Sequence, residues 1–446
     1  MRKPQTPPDF GIMMKSVINA KRIEQVFALK SNQLISRHYL HWDKMRRVPL
    51  PDGVSAEDLW LATKMHRLAM SKPIALKDKS GRLFGFCVPD LVAEALHEID
   101  RGAGAIGVPE QITNPQTRDQ YLIRSLMEEA ITSSQLEGAA TTREQAKEMI
   151  RTGRKPRDKD EQMILNNFVT MQQISELKDK PFSADLILEI HRTVTEDTLS
   201  DPSGAGRLRT AEENITVGSD ITGEIYHDPP TASELPERLH AMCEFANGKT
   251  PDYFVHPVVR AIILHFWLAY DHPFIDGNGR TARALFYWAM LRNGYWLFEF
   301  ISISTILRKA PIKYGRSFLF TETDDNDLTY FLVAQTRVIK RAISELHAYI
   351  QRKVAESREL EAQVRGLNLF NHRQVSLIRH AIKHPFSRYT IESHRKSHNV
   401  VYETARTDLM GLAKRKLLDL KKSGKHLQFI APSNLGPRLE KLGKDS

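Results

Sequence analysis

A chain of 446 residues has material for two or three domains and a large core. Its two cysteines, Cys87 and Cys243, stand far apart without paired or ligand-like spacing; this argues against a disulfide framework or a zinc site and reads as reduced thiols of a cytoplasmic protein. The net charge of +10 is concentrated: residues 371–446 hold sixteen Lys and Arg against six Asp and Glu, so residues 1–370 are neutral and the C-terminal module is the one suited to an acidic partner.

The opening MRKPQTPPDF is polar and proline-rich with no sustained apolar run behind it, unlike a signal peptide. Residues 1–108 read as a small N-terminal domain. Ser55 caps a helix running to Met70, residues 82–86 form a short strand, and Asp90 caps a helix over 91–99. Gly102–Gly107 matches GxGxxG, but a helix and not a strand precedes it, so it reads as a linker. A helix over 117–136 ends at Ser133-Ser134-Gln135-Leu136-Glu137-Gly138, where Ser133 and Glu137 are one turn apart and Gly138 stops the helix. Helices over 141–150 and 161–176 flank a basic, solvated loop. Ser183 caps a helix over 184–197 whose face of Leu186, Ile187, Ile190 and Val194 is buried; His191 beside it reads as packed or surface, not catalytic.

Residues 199–230 break the helical rhythm with β-like runs at 215–217 and 224–227, a hairpin whose exposed edge can pair with an extended peptide. Helices over 235–246 and 258–270 follow. The second is apolar nearly all round and must be central, and its run Ala261–Tyr270 is too short to span a bilayer, so no membrane is expected. A long helix begins at Asp327 and steps by three and four to Ile350. Its heptad-like spacing would also serve a partner helix, which leaves a homodimer open, and the polar stretch 351–365 joins it to the C-terminal module. Residues 369–431 read as a winged helix-turn-helix, with helices over 371–384, 390–397 and 401–415 and a basic wing over 416–430 turning at Ser423-Gly424. Arg395, Lys396, Arg406, Lys414, Arg415 and Lys421 would meet DNA, although such modules also dock proteins.

Between the central helix and the next lies His272-Pro-Phe-Ile-Asp276-Gly277-Asn278-Gly279-Arg280-Thr-Ala-Arg283, an inventory suited to a nucleotide polyphosphate. The glycines let N–H groups approach an anion, and amides opening a helix carry partial positive charge toward it. Arg280 and Arg283, three apart, can each fork onto phosphate oxygens. Asp276 is a hard oxygen ligand suited to Mg²⁺, and His272 remains as general base.

These residues resemble the Fic family signature HPFx[DE]GNGRxxR and match it at every specified position. The resemblance covers roughly residues 110–350. It implies a mainly α-helical protein: an N-terminal accessory domain (1–108), a Fic core with a β-hairpin flap (109–356) and a winged helix-turn-helix (357–446). It implies transfer of AMP from ATP, with Mg²⁺, to a Ser, Thr or Tyr hydroxyl of a protein target, or of the chain itself, releasing pyrophosphate. His272 would deprotonate the hydroxyl, Asp276 would hold the metal, Gly277, Asn278 and Gly279 would form the anion nest, and the arginines would take the distal phosphates. Ser133–Gly138 resembles the family's inhibitory motif (S/T)xxxE(G/N), so Glu137 would pair with Arg283 and withhold it from ATP. The hairpin, with Ile225, Tyr226 and His227, would be the flap that holds the target over His272. Two alternatives stand: removal of AMP by the same site with Glu137 orienting a water, and a DNA-binding regulator whose core only senses nucleotide.

Overall fold

A computed structural model describes residues 2–29, 38–50, 52–103, 115–219, 222–366, 369–423 and 426–444. The glycine-rich stretch from Gly104 and the tip of the wing at Gly424 lie outside the described residues. By density of contacts the chain divides into two compact units, one of residues 1–106 with 124–343, the other of 107–123 with 344–446.

The first unit opens with helices α1 (Phe10–Asn19), α2 (Ile23–Ala28) and α3 (Trp42–Met45), packed on α4 (Ala56–Met70) around Trp42, Met45, Leu59 and Trp60. Ser55 caps α4 as expected, accepting from the Asp58 N–H at 3.0 Å. The strand expected at 82–86 is β2 (Leu83–Phe86), and its antiparallel partner β1 (Lys72–Lys77) had no clear signature because Pro73 weakens a strand reading. The hairpin buries Phe84 against Phe266 and Tyr270, with ring centroids 5.6 and 4.9 Å away. It also binds the loop before the long helix, Leu328 N–H donating to the Gly85 carbonyl at 2.8 Å.

After α5 (Asp90–Ala103) come α6 (Pro115–Leu136), α7 (Arg143–Thr152), α8 (Lys159–Leu177) and α9 (Ala184–Thr195). Strands β3 (Val217–Gly218) and β4 (Ile225–His227) pair Val217 with His227 and Gly218 with Ile225 across a bulge. Then α10 (Leu235–Ala246) precedes the central pair, α11 (Pro257–Asp271) and α12 (Asn278–Arg292). Val258, Val259 and residues 261–268 of α11 are all buried, as a helix apolar on every side requires. Short helices α13 (Ile303–Arg308) and α14 (Pro311–Thr323) lead to α15 (Thr329–Gly366).

The long helix, followed in the sequence only to Ile350, extends further: the polar joining stretch 351–365 is helical and continues α15. Its Glu, Arg, Gln and Lys are good helix formers, so polarity alone does not end a helix.

The second unit holds α16 (His372–Lys383), β5 (Arg388–Tyr389), α17 (Ile391–His398), α18 (Tyr402–Lys414), β6 (Asp419–Ser423), β7 (His426–Ile430) and α19 (Leu435–Lys444). Its three strands form one sheet in the order β5-β7-β6, and along the chain helix, strand, helix, helix and hairpin follow one another. Its core is Leu377, Ile378, Leu409, Leu412, Leu417 and Phe429. Among the described residues, no helix is long and apolar enough to cross a membrane.

Candidate active site

Helix α11 stops because His272 adopts the left-handed conformation, φ 45° and ψ 55°, which ordinary residues take only under constraint. The constraint is visible in three contacts. The His272 N–H still bonds the Leu268 carbonyl at 3.0 Å, and the Arg209 Nε donates to the His272 carbonyl at 2.9 Å. The Arg209 N–H donates to the Pro273 carbonyl at 2.9 Å. The imidazole Nδ1 lies 3.1 Å from the Ala269 carbonyl, which can only accept, so Nδ1 carries the proton and Nε2 keeps its lone pair. Burial pulls the His272 pKa down to about 4, which keeps the ring neutral at physiological pH.

The turn beyond is locked from inside. Phe274 is fully buried, and its backbone N–H and carbonyl are both taken by the Asn278 side-chain amide, at 3.0 and 2.8 Å. Only the backbone of Asn278, not its side chain, is therefore placed to serve an anion. Gly277 sits at φ 82°, and a Cβ there would strike Thr195. Helix α12 then starts at Asn278, and the amides of its first turn have no intrahelical acceptor. The Asp276 carboxylate stands beside them, its side chain 45% exposed, accepting from the Gly277 N–H at 2.5 Å.

The two arginines differ. Arg280 is fully buried and donates through Nη1 to the Val194 carbonyl at 3.0 Å, while its Nε and Nη2 find no hydrogen-bond partner. Asp276 is 3.6 Å from Nη2, too far for a hydrogen bond. A buried guanidinium left in this condition costs free energy unless an anion satisfies it. Arg283 is satisfied: its Nε donates to Ser133 Oγ at 2.8 Å and its Nη2 to the Ser133 carbonyl at 3.0 Å and Glu137 Oε1 at 2.9 Å. Burial alone would lower the Arg283 pKa, and the Glu137 carboxylate reverses the direction. Glu137 also covers Gly279, where an added methyl would collide with Oε1. Its carboxylate thus lies over the first turn of α12.

The flap residues separate in the same way. Ile225 is 49% exposed and Tyr226 is partly exposed, but His227 turns inward. Its Nδ1 pairs with Glu322 Oε2 and its Nε2 with the Tyr270 carbonyl, each at 2.7 Å. Burial would lower its pKa, and the Glu322 hydrogen bond and charge overcome this and raise it. The His227 side chain thus anchors the hairpin to the core. His191 proves to be buried, and Arg209, which braces the turn, had no mark in the sequence that set it apart from other arginines. Among the described residues, no group of three or more His, Cys, Asp or Glu could hold a metal, so a cation here would rely on Asp276 and on phosphate oxygens, a mode that suits Mg²⁺.

Residues 181–290, which include this turn and most of the helix pair, match the Fic/DOC family model. Over these residues the chain carries a Fic/DOC domain. It is 34% identical over 118 residues to protein adenylyltransferase Fic of Nematostella vectensis, covering 26% of this chain and 25% of that one. It is 35% identical over 128 residues to protein adenylyltransferase fic-1 of Caenorhabditis elegans, covering 29% and 23%. The chain thus spans about a quarter of the length of these relatives. In fold it is similar to a Fic family protein of Desulfovibrio desulfuricans G20, with a TM-score of 0.52 at 19% identity over 77% of this chain and 96% of that one.

Proposed function

We propose that the chain transfers AMP from ATP to a hydroxyl side chain of a protein. The observation that carries this is the combination of a neutral His272, its Nε2 lone pair unprotonated, with the buried Arg280 guanidinium at the start of α12, whose Nε and Nη2 have no hydrogen-bond partner. The target hydroxyl oxygen forms the new bond to the α-phosphorus, the bond to the β-phosphate bridging oxygen breaks, and pyrophosphate leaves. The hydroxyl proton passes to His272 Nε2. Arg280, Arg283 and the amides of Asn278 and Gly279 take the phosphate charge, and Asp276 would hold Mg²⁺, which would supply charge neutralisation at the leaving phosphates. The backbone edge of β4, next to exposed Ile225, is where we place the target segment.

We further propose that Glu137 holds this activity down by occupying Arg283 and the space over Gly279. The test uses purified wild type, Glu137→Gly and His272→Ala with α-labelled ATP and Mg²⁺. Label on protein in Glu137→Gly, weak in wild type and absent in His272→Ala, is the expected result; no label in any variant would overturn the reading. The buried free thiols of Cys87 and Cys243 support a reducing compartment such as the cytoplasm.

For the C-terminal module we propose DNA as the partner, on the observation that the chain's entire excess of positive charge lies there. Arg395 and Arg406 are held by Glu392 and Glu403 on their own helices, which leaves the exposed Lys414, Lys416, Lys421 and Lys422 as phosphate contacts. Binding to duplex DNA should weaken steeply with salt, and the log–log slope should shrink by about 1 for each of these lysines changed to Glu. An unchanged slope in Lys421→Glu/Lys422→Glu would reject this surface.

A further inference from the structure

We propose that His191 is a positioning residue for the AMP transfer inferred above, fixing the peptide between Asp276 and Gly277 so that the nest and the metal-side carboxylate face the nucleotide. This rests on that reading of the site. His191 sits on α9, 85 positions from Asp276, and is fully buried. Its Nδ1 accepts from the Gly206 N–H at 3.0 Å, which leaves the proton on Nε2, and Nε2 donates to the Asp276 carbonyl at 2.9 Å. The ring also lies flat on Phe274, with centroids 3.6 Å apart and planes 7° apart. One side chain therefore grips the catalytic turn by a hydrogen bond and a stacked face while a second hydrogen bond fixes its own tautomer and angle.

The consequence follows from peptide geometry. In a trans peptide the carbonyl and the following N–H point in opposite directions. Holding the Asp276 carbonyl toward His191 turns the Gly277 N–H the other way, to the side of the Asp276 carboxylate, where it lies 2.5 Å from Oδ1. Arg209 does the corresponding work at the other end of the turn, through the His272 carbonyl. Gly206 and Arg209 belong to one short segment, so the two clamps share a support.

The two ring nitrogens can be replaced separately. His191→Gln places an amide where Nε2 stands and keeps the Asp276 bond; His191→Asn places one where Nδ1 stands and keeps the Gly206 bond; His191→Phe keeps only the stack. The three changes would be made in full-length Glu137→Gly protein, with melting temperature followed alongside kcat, KM and amide hydrogen exchange over residues 274–280. Phe and Asn should lower kcat by roughly a hundredfold, the scale of a small misplacement of reacting groups, with KM for the protein target unchanged. Gln should recover most of the rate. Exchange at Gly277 and Asn278 should rise in Phe and Asn and stay low in Gln. A purely packing role predicts instead that all three follow melting temperature. The proposal is overturned if Gln is as impaired as Phe, or if exchange in this segment is the same in all three. Should Glu137→Gly itself transfer no AMP, the functional reading fails, and the order of exchange alone decides whether His191 sets the turn.

Discussion

At His272 burial and a single carbonyl partner act together: the first pulls the imidazole pKa to about 4, the second presents Nε2 as the acceptor. A base is useful only when unprotonated, so the derepressed Glu137→Gly enzyme should lose kcat/KM as pH falls through about 4 and stay level from neutrality down to well below the ordinary imidazole range. A pH–rate limb at the ordinary imidazole value would contradict this environment. Asn278 gives a second test at this scale. Asn278→Asp keeps the acceptor for Phe274 N–H but sets a carboxylate oxygen against the Phe274 carbonyl. Losing that bond and adding repulsion should lower the rate by at least about tenfold, read in the same transfer assay.

Among the elements, α6 is anchored more firmly than an inhibitory segment needs to be if it were meant to leave. Glu129, two turns before Glu137, is buried and accepts from Tyr287 OH at 2.8 Å, Ser302 Oγ at 2.9 Å, Ser304 N–H at 3.1 Å and the Ser304 hydroxyl. Tyr287 lies one turn beyond Arg283 on α12, so the same two helices meet twice along one seam. Glu129→Ala would leave several buried donors unpaired and should destabilise the protein by about 3 kcal/mol or more in urea unfolding. If Glu137 inhibits as proposed, relief would be a matter of the last turn, since Glu137 lies just past the helix end.

This seam was half legible in the sequence. Ser133 and Glu137 stand in a recognisable local pattern, as do the twelve residues from His272, because local chemistry there is written in consecutive positions. Glu129, His191 and Arg209 act on partners 63 to 175 positions away, and nothing in their neighbours marks them. Elements were lost for similar reasons. Helices α2 and α3 have only six and four residues, too few for a periodicity to define.

At the scale of the whole molecule, among the described residues, His41, His191 and His265 are fully buried and neutral, with pKa values lowered to about 3, 4 and 3, mainly by burial. Unfolding returns each to its ordinary value, so between that value and the lowered one the unfolded chain binds more protons. Their contribution is complete above the ordinary imidazole pKa and is lost as pH falls, at about 1.4 kcal/mol per pH unit for each group. His227, with its pKa raised, works in the opposite sense and loses its contribution as pH climbs through the raised value. Denaturant midpoints should therefore drop steeply below the ordinary imidazole pKa, and replacing His265 by Phe should flatten that drop. Lys64 adds a buried charge held by Asp324 at 2.6 Å and Asp325 at 3.1 Å, so Lys64→Met should cost about 3–5 kcal/mol by stranding Asp324 in the interior.

The Glu137 carboxylate over Gly279 also has a bearing on how nucleotides compete. It is a ligand tethered to its own site, present at a fixed effective concentration on the order of millimolar whatever the protein concentration. Its influence should therefore fall on nucleotides that reach Arg283 and spare shorter ones. ADP should bind wild type and Glu137→Gly alike, while ATP tells them apart, so the cell's ratio of the two would set how often the tether is displaced.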